Sequence, residues 1–318
     1  MFWDGYFEMD ILISVVICTY NRASYLAKAI QSLLEQSLEP QSYEIIIVDN
    51  GSTDTTKMTV EQFSANINIR YIYESNQGLC YARNTGWRKA KGKYVAYLDD
   101  DAIASPFWLN KIIEVFDSGI ANPGCVGGKV KPIWEAPRPQ WLSDELLATL
   151  TIVDWSDAPQ VISDLSQQWL VGANIAFPKE VLEELGGFVA GLGRVGNNLL
   201  SGDDTFLEKQ IIQAGYSCFY HPEIVVHHHI QLSRLSQDWF ISRYLWQGRS
   251  DAMMQLIEAT LPWYNRFWMV ALKVVGLLRS PKKVLALLIP TDKPKQFTQK
   301  CFALIEIGHI FGLWKPEI

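Results

Sequence analysis

Asp99, Asp100 and Asp101 stand in a row directly after the apolar run YVAYL (94–98). Three neighbouring carboxylates repel one another unless a cation compensates them. If the chain stays extended there, Asp99 and Asp101 point to one side and Asp100 to the other. Two carboxylates on one side offer the oxygen donors that suit Mg²⁺ or Mn²⁺ bridging a diphosphate; a solvated acidic turn is the competing reading. A second polar turn, Asp49 to Asp54, follows the run EIIIV (44–48). A glycine-containing turn between strand and helix presents backbone donors and carboxylates to a nucleotide, although Thr53 and Asp54 also suit simple helix capping. His227, His228 and His229 form a third constellation. In an extended strand His228 faces away from its two neighbours, and imidazole is a good Mn²⁺ ligand.

These groups need elements to position them. ILISVVIC (11–18) is a near-continuous apolar run, as in a parallel strand buried on both faces. Leu26, Ile30, Leu33 and Leu34 then recur at helical spacing, and EIIIV forms the next strand. The pattern continues with helix 53–63, strand 69–73, helix 78–90 and strand 93–98. Such alternation predicts a doubly wound α/β sheet with helices on both sides, and ligands at the carboxyl ends of its strands. Beyond residue 125 the composition shifts to Gly, Pro and Trp, with PIWEAPRPQW (132–141) reading as a loop. Strands of mixed direction are expected there. WLVGANIAF (169–177), helices 179–185 and 203–214 and a strand at 224–229 are the clearer elements, and the pattern is helical after Leu232.

The 318 residues are 48% hydrophobic and 19% charged, which excludes a disordered chain. The net charge of −6 is unevenly spread. Residues 261–300 hold eight Lys or Arg against Asp292, a surplus of seven positive charges, so the rest of the chain carries −13. An acidic body of that kind excludes broad nucleic-acid binding, because a duplex binder needs a basic face. Five scattered cysteines without a CxxC pair suggest reduced thiols and a cytoplasmic location. The first ten residues hold Asp4, Glu8 and Asp10 and no base, unlike a secretory signal. No apolar run reaches the ~18 residues of a membrane-spanning helix. The basic C-terminal segment also contains Phe267, Trp268, Leu272, Val275, Leu278, Leu285 and Leu288. It reads either as interfacial amphipathic helices on the inner face of an anionic membrane or as helices packed on the rest of the chain or on a second subunit.

ISVVICTYNR (13–22), IIIVDNGSTD (45–54), NQGLCYARNTG (76–86) and YLDDDA (97–102), in this order, resemble family 2 glycosyltransferases. The likeness continues through VGANIAF (171–177), GGF (186–188), GLGRVGNNLLSGDDTFL (191–207) and the segment 222–228, so it spans about residues 11–232. It implies an inverting enzyme of GT-A fold: a catalytic domain over 10–232, split into a nucleotide-sugar half (10–125) and an acceptor half (126–232), followed by a helical extension (233–318). It also implies that Asp49 and Asn50 recognise the nucleotide base, that Tyr20 and Arg83 lie against the nucleotide, and that Asp99 and Asp100 stand at the donor. Asp101, Asp99 and His228 are then the expected metal ligands. In the pair Asp203–Asp204 the family usually has Glu then Asp, with the second carboxylate as base, so Asp204 is the expected base and Asp203 its support.

Single displacement of a nucleoside diphosphate needs one group to take the proton of the incoming hydroxyl and another to neutralise the leaving phosphates. It needs no protein nucleophile, and no such motif is present. Trp134 and Trp141, in the Pro-rich segment, are the acceptor-site candidates, since indole presents a flat apolar face to a sugar ring; Gly191 to Asn198 is expected to form a mobile loop near the site. The resulting expectation is a UDP-sugar donor and a glycan or lipid-linked acceptor. A sugar nucleotidylyltransferase shares the layered plan, but expects a Gly-rich loop ending in basic residues where CTYNRASY (18–25) stands. A carbohydrate-binding protein without activity would not need Asp101 and Asp204 together.

Overall fold

The computed structural model describes residues 11–315 except 67, 120, 121, 197 and 260, so the reading of the first ten residues lies outside it. The first half follows the alternation seen in the sequence: β1 (Ile13–Thr19), α1 (Ala23–Leu34), β2 (Tyr43–Asp49), α2 (Thr56–Glu61), β3 (Ile69–Tyr73), α3 (Leu79–Lys89) and β4 (Tyr94–Leu98). β1 pairs in parallel with both β2 and β4, and β2 in parallel with β3. Period two explains why these strands are apolar throughout. Ile13, Val15, Ile17, Ile45 and Ile47 join the core beneath α1, while Val16, Ile46 and Val48 join the opposite core beneath α3.

After β4 come β5 (Ala102–Ala104), α4 (Trp108–Asp117), β6 (Pro123–Trp134), β7 (Gln160–Ile162), β8 (Asn174–Pro178), α5 (Lys179–Leu185), α6 (Asp203–Gln213) and β9 (Ser217–Ile230). The sheet is of mixed direction, as expected: β8 runs antiparallel to β4 and β6, while β6 and β9 are parallel. The order is β3-β2-β1-β4-β8-β6-β9-β5, with β7 on β9. Two local expectations change. Residues 169–173 are not strand, and β6 runs on to Trp134, into the segment read as loop.

The C-terminal region is helical: α7 (Gln237–Glu258), α8 (Trp263–Leu278), α9 (Pro281–Leu288) and α10 (Pro294–Trp314). α7 and α10 meet at backbone distance. A side chain at Gly248 would run into the carbonyl of Ile305, and one at Gly308 into that of Leu245. Their apolar faces form a third core, in which Phe240, Tyr244, Phe297, Cys301 and Leu304 enclose Leu142, Leu146 and Leu150 from the middle of the chain. The extension is therefore fastened to the sheet domain.

Candidate active site

A cleft of about 1500 Å³ opens at the carboxyl ends of β1 and β4. Its floor carries the three aspartates. Asp100 and Asp101 form a turn closed by the Ala102 N–H on the Asp99 carbonyl (3.1 Å), so the chain is not extended here as supposed. The convergence of Asp99 and Asp101 survives for another reason. β5 pairs antiparallel with β9 so that Ala102 lies opposite His228, which brings that histidine against the turn. His228 Nε2 lies 3.1 Å from Asp101 Oδ1, and both side chains are almost wholly buried. The alternation of β9 sends His229 to the other side, edge-on to Tyr25. Ligand atoms of Asp99, Asp101 and His228 all come within 4.8 Å of one another. Two carboxylates and an imidazole at that separation fit a divalent transition ion such as Mn²⁺, and His228 Nδ1 is buried without a partner.

Cations surround this turn. Arg22, just ahead of α1, pairs with Asp101 and, at 3.3 Å, with Asp100; Arg234, from the 3₁₀ turn Leu232–Arg234, reaches Asp101 at 3.4 Å. Burial alone would raise the Asp101 carboxyl, but His228, Arg22 and Arg234 overcome it and hold the group well below the usual carboxylate range. Asp100 goes the other way: burial carries it up to about 7, against the pull of Arg22 and with the repulsion of Asp101.

Asp203 and Asp204 open α6 on the facing side of the cleft. Asp203 is buried in an ion pair with Arg83, whose guanidinium stacks over Phe188 (5.0 Å) and Tyr97 (5.8 Å). Room for that guanidinium exists because residue 172 is glycine; a Cβ there would overlap it. Asp204 is half-buried and accepts the Gly172 N–H (2.9 Å) and its neighbour Thr205 N–H (2.9 Å). Burial and the adjacent Asp203 charge raise its pKa, the direction that strengthens a base. Gly193 lies close to Asp203 and Cys80, so the loop around it does approach the site.

The other expected residues are distributed unevenly. Tyr20 and Asn50 line the cleft, with Asn50 fixed by the Gly78 N–H (2.8 Å) and the Asn76 carbonyl (2.7 Å). Asp49 does not line it. Its oxygens take the Ser52 N–H (2.8 Å) and the Tyr71 hydroxyl (2.7 Å), which makes it the anchor of the turn. Trp134 and Trp141 are likewise outside the cleft. Trp141 packs edge-on against Phe240 and Phe297, and Trp134 belongs to the same core. The tryptophans that face the cleft are Trp155 and Trp169, from the same Trp-rich region. Sequence reasoning missed Arg22, Arg194, Arg234 and Arg243, all of which line the cleft. Arg22 and Arg194 sit within quoted motifs and were findable; Arg234 and Arg243 become neighbours of the site only through the 3₁₀ turn after β9 and through α7.

A family model for glycosyl transferase family 2 matches residues 14–186. The chain belongs to that family and is a glycosyltransferase. Among its relatives, a glucosyl-dolichyl phosphate glucuronosyltransferase of Haloferax volcanii is 29% identical over 318 residues, covering 96% of this chain and 97% of that protein. A chondroitin synthase of Escherichia coli is 39% identical over 128 residues, or 38% of this chain and 18% of that protein. Among solved structures, a mannosyltransferase of Pyrobaculum calidifontis in complex with GDP-Man and Mn²⁺ superposes with a TM-score of 0.64 at 20% identity, covering 96% of this chain and 88% of that one. Residues 1–349 of S. aureus TarS with UDP-GlcNAc give 0.55 at 17% identity, covering 90% and 78%. The fold is thus that of GT-A glycosyltransferases.

Proposed function

We propose that the protein is an inverting, cation-assisted glycosyltransferase that moves a sugar from a nucleoside diphosphate, UDP in the first instance, to a hydroxyl of a lipid-linked acceptor. The observation that carries this reading is that Asp99, Asp101 and His228 converge on the floor of the cleft that Asp204 faces. A divalent ion held by those three side chains would neutralise charge on the leaving diphosphate. Asp204 takes the proton of the acceptor hydroxyl as that oxygen bonds to the anomeric carbon and the bond to the diphosphate breaks. Asp203, fixed by Arg83, positions the start of α6. Tyr20, Asn50, Arg83 and Asp100 face the donor, with Asp49 acting through the turn it holds. Residues up to 125 form the donor half and 126–232 the acceptor half, with Trp155 and Trp169 as the sugar-facing indoles in place of Trp134 and Trp141.

The lipid-linked acceptor is supported by the glucosyl-dolichyl phosphate enzyme among the relatives and by the surface of α8 and α9. Neither helix buries a residue; Trp263 is 72% exposed, Trp268 64%, Leu272 70% and Leu288 73%. Aromatic and leucine side chains among the surplus bases of this segment suit the interface of an anionic membrane. Among the described residues no helix is long and apolar enough to cross one. The test is a thermal-shift panel of nucleoside diphosphates with and without Mn²⁺, followed by transfer assays with the nucleotide that stabilises. Ligands of the native state must raise its melting temperature; a panel in which no nucleotide does so removes the donor site.

A further inference from the structure

Five arginines line the cleft, and three are spent. Arg83 pairs with Asp203, and Arg22 and Arg234 share Asp101. Arg194 and Arg243 form no ion pair among the described residues. Arg243, on α7, gives Nη2 to the Ser201 hydroxyl (3.0 Å), while its Nη1 is buried with no partner. A buried guanidinium donor without an acceptor is costly, and among the described residues the Asp204 and Asp251 charges act on Arg243 without a salt bridge to it. Arg194, on an exposed loop, lines the same cleft as Arg243; desolvation and the positive charges of Arg234, Arg243 and Arg22 lower its pKa to about 10, against the pull of Asp99. Ser201 ties Arg243 to the strand of chain that enters α6, two residues ahead of Asp203. Next along α7, Tyr244 meets Phe302 of α10 (ring centroids 6.1 Å), and with Ile305 they give the cleft an apolar wall.

We propose that Arg194 and Arg243 form a phosphate-recognition subsite for the acceptor, an amphiphile whose phosphate they bind while its apolar chain lies along Tyr244, Phe302 and Ile305. This rests on the glycosyltransferase reading above. The donor's diphosphate would be neutralised by a divalent ion held at Asp99, Asp101 and His228, whereas Arg243 comes from α7, within reach of the Asp204 charge, and neither it nor Arg194 is in an ion pair among the described residues. Planar guanidinium groups bind phosphate through paired hydrogen bonds, so the subsite selects an acceptor that carries phosphate over the corresponding alcohol.

The probes are geranylgeranyl phosphate and geranylgeraniol, below their aggregation limits, and UDP or GDP with Mn²⁺, all read by tryptophan fluorescence on the full chain. The wild type is expected to favour the isoprenyl phosphate over the alcohol by about tenfold or more. Arg243→Gln and Arg194→Gln are each expected to remove about tenfold of that preference, the order of one charge-assisted hydrogen bond. Arg243→Lys is expected to restore part of it, and nucleotide affinity is expected to hold throughout. Melting temperatures confirm that the variants fold, and Arg194 lies on a loop where substitution leaves the core intact. Equal affinity of the wild type for phosphate and alcohol overturns the subsite. A loss of nucleotide affinity as large as the loss of isoprenyl-phosphate affinity overturns the acceptor assignment, because the phosphate bound would then be the donor's. A wild type that prefers the isoprenyl phosphate but binds no nucleotide leaves the subsite standing and removes the donor site instead.

Discussion

His228 on β9 meets Asp101 at the end of β4 with 3.1 Å between Nε2 and Oδ1, and the pair is shut off from solvent. Their contact is a consequence of register, since β5 places Ala102 opposite His228. It joins the last strand of the sheet domain to the turn that bears the aspartates.

That contact gives the first prediction. In His228→Ala or Asp101→Asn, the rise in melting temperature that Mn²⁺ adds to a bound nucleoside diphosphate is expected to vanish, while the metal-free protein keeps its fold. Calorimetry with and without Mn²⁺ measures it; an undiminished metal increment in both variants would rule out these ligands.

Asp204→Asn keeps the hydrogen bond from Gly172 but cannot accept a proton. Transfer is expected to fall about 10²- to 10⁴-fold, the usual worth of a positioned base, with nucleotide affinity unchanged. Because burial and Asp203 raise this carboxyl, and the base must be ionised, the wild-type rate is expected to climb with pH through that elevated pKa and then level. Initial rates from pH 4 to 9 would show this limb, and a flat profile in the wild type would remove Asp204 from the role.

Arg83 and Asp203 are a buried pair, each 5% exposed at the side chain. Arg83→Met strands a carboxylate in the core and is expected to cost about 3–5 kcal/mol, whereas Arg83→Met with Asp203→Leu recovers much of the loss. Urea unfolding of the single and double variants reads the difference; equal destabilisation would mean that the charge of Asp203 is satisfied elsewhere.

Membrane contact is best tested by point changes, because removing 261–318 would also strip Phe297, Cys301 and Leu304 from the third core. Trp263→Ser with Trp268→Ser is expected to lower flotation with vesicles rich in anionic lipid several-fold while leaving the melting temperature in place. Raised salt should weaken wild-type binding, since each base near such a surface contributes about 1 kcal/mol. Binding that ignores both changes would place the partner of α8 and α9 elsewhere.

Much of this protein was legible from its residues alone. Uninterrupted β-branched runs with helical spacing between them determine a parallel sheet buried on both faces, because a strand that meets helices on each side has no polar face to show. The carboxylates fall at strand ends, where such sheets bind ligands; alternation at 227–229 only set His228 apart from its neighbours, and the family resemblance favoured it as the ligand. Local pattern could not decide long-range partnership. Nothing near Trp141 in the chain announces Phe240 and Phe297, so an indole expected at a sugar sits in a core, while the half-buried Trp155 and Trp169 line the cleft. Asp49 looked free to meet a nucleotide until Tyr71 and Ser52 occupied its oxygens. Arg243 belongs to a helix whose sequence carries no motif, and only the folded chain brings it to the cleft beside Ser201. Sequence determined which groups carry charge and which segments seek the core. Tertiary packing decided which charges cancel and which remain for a ligand, because ion pairs and buried contacts depend on distances that only the folded chain sets.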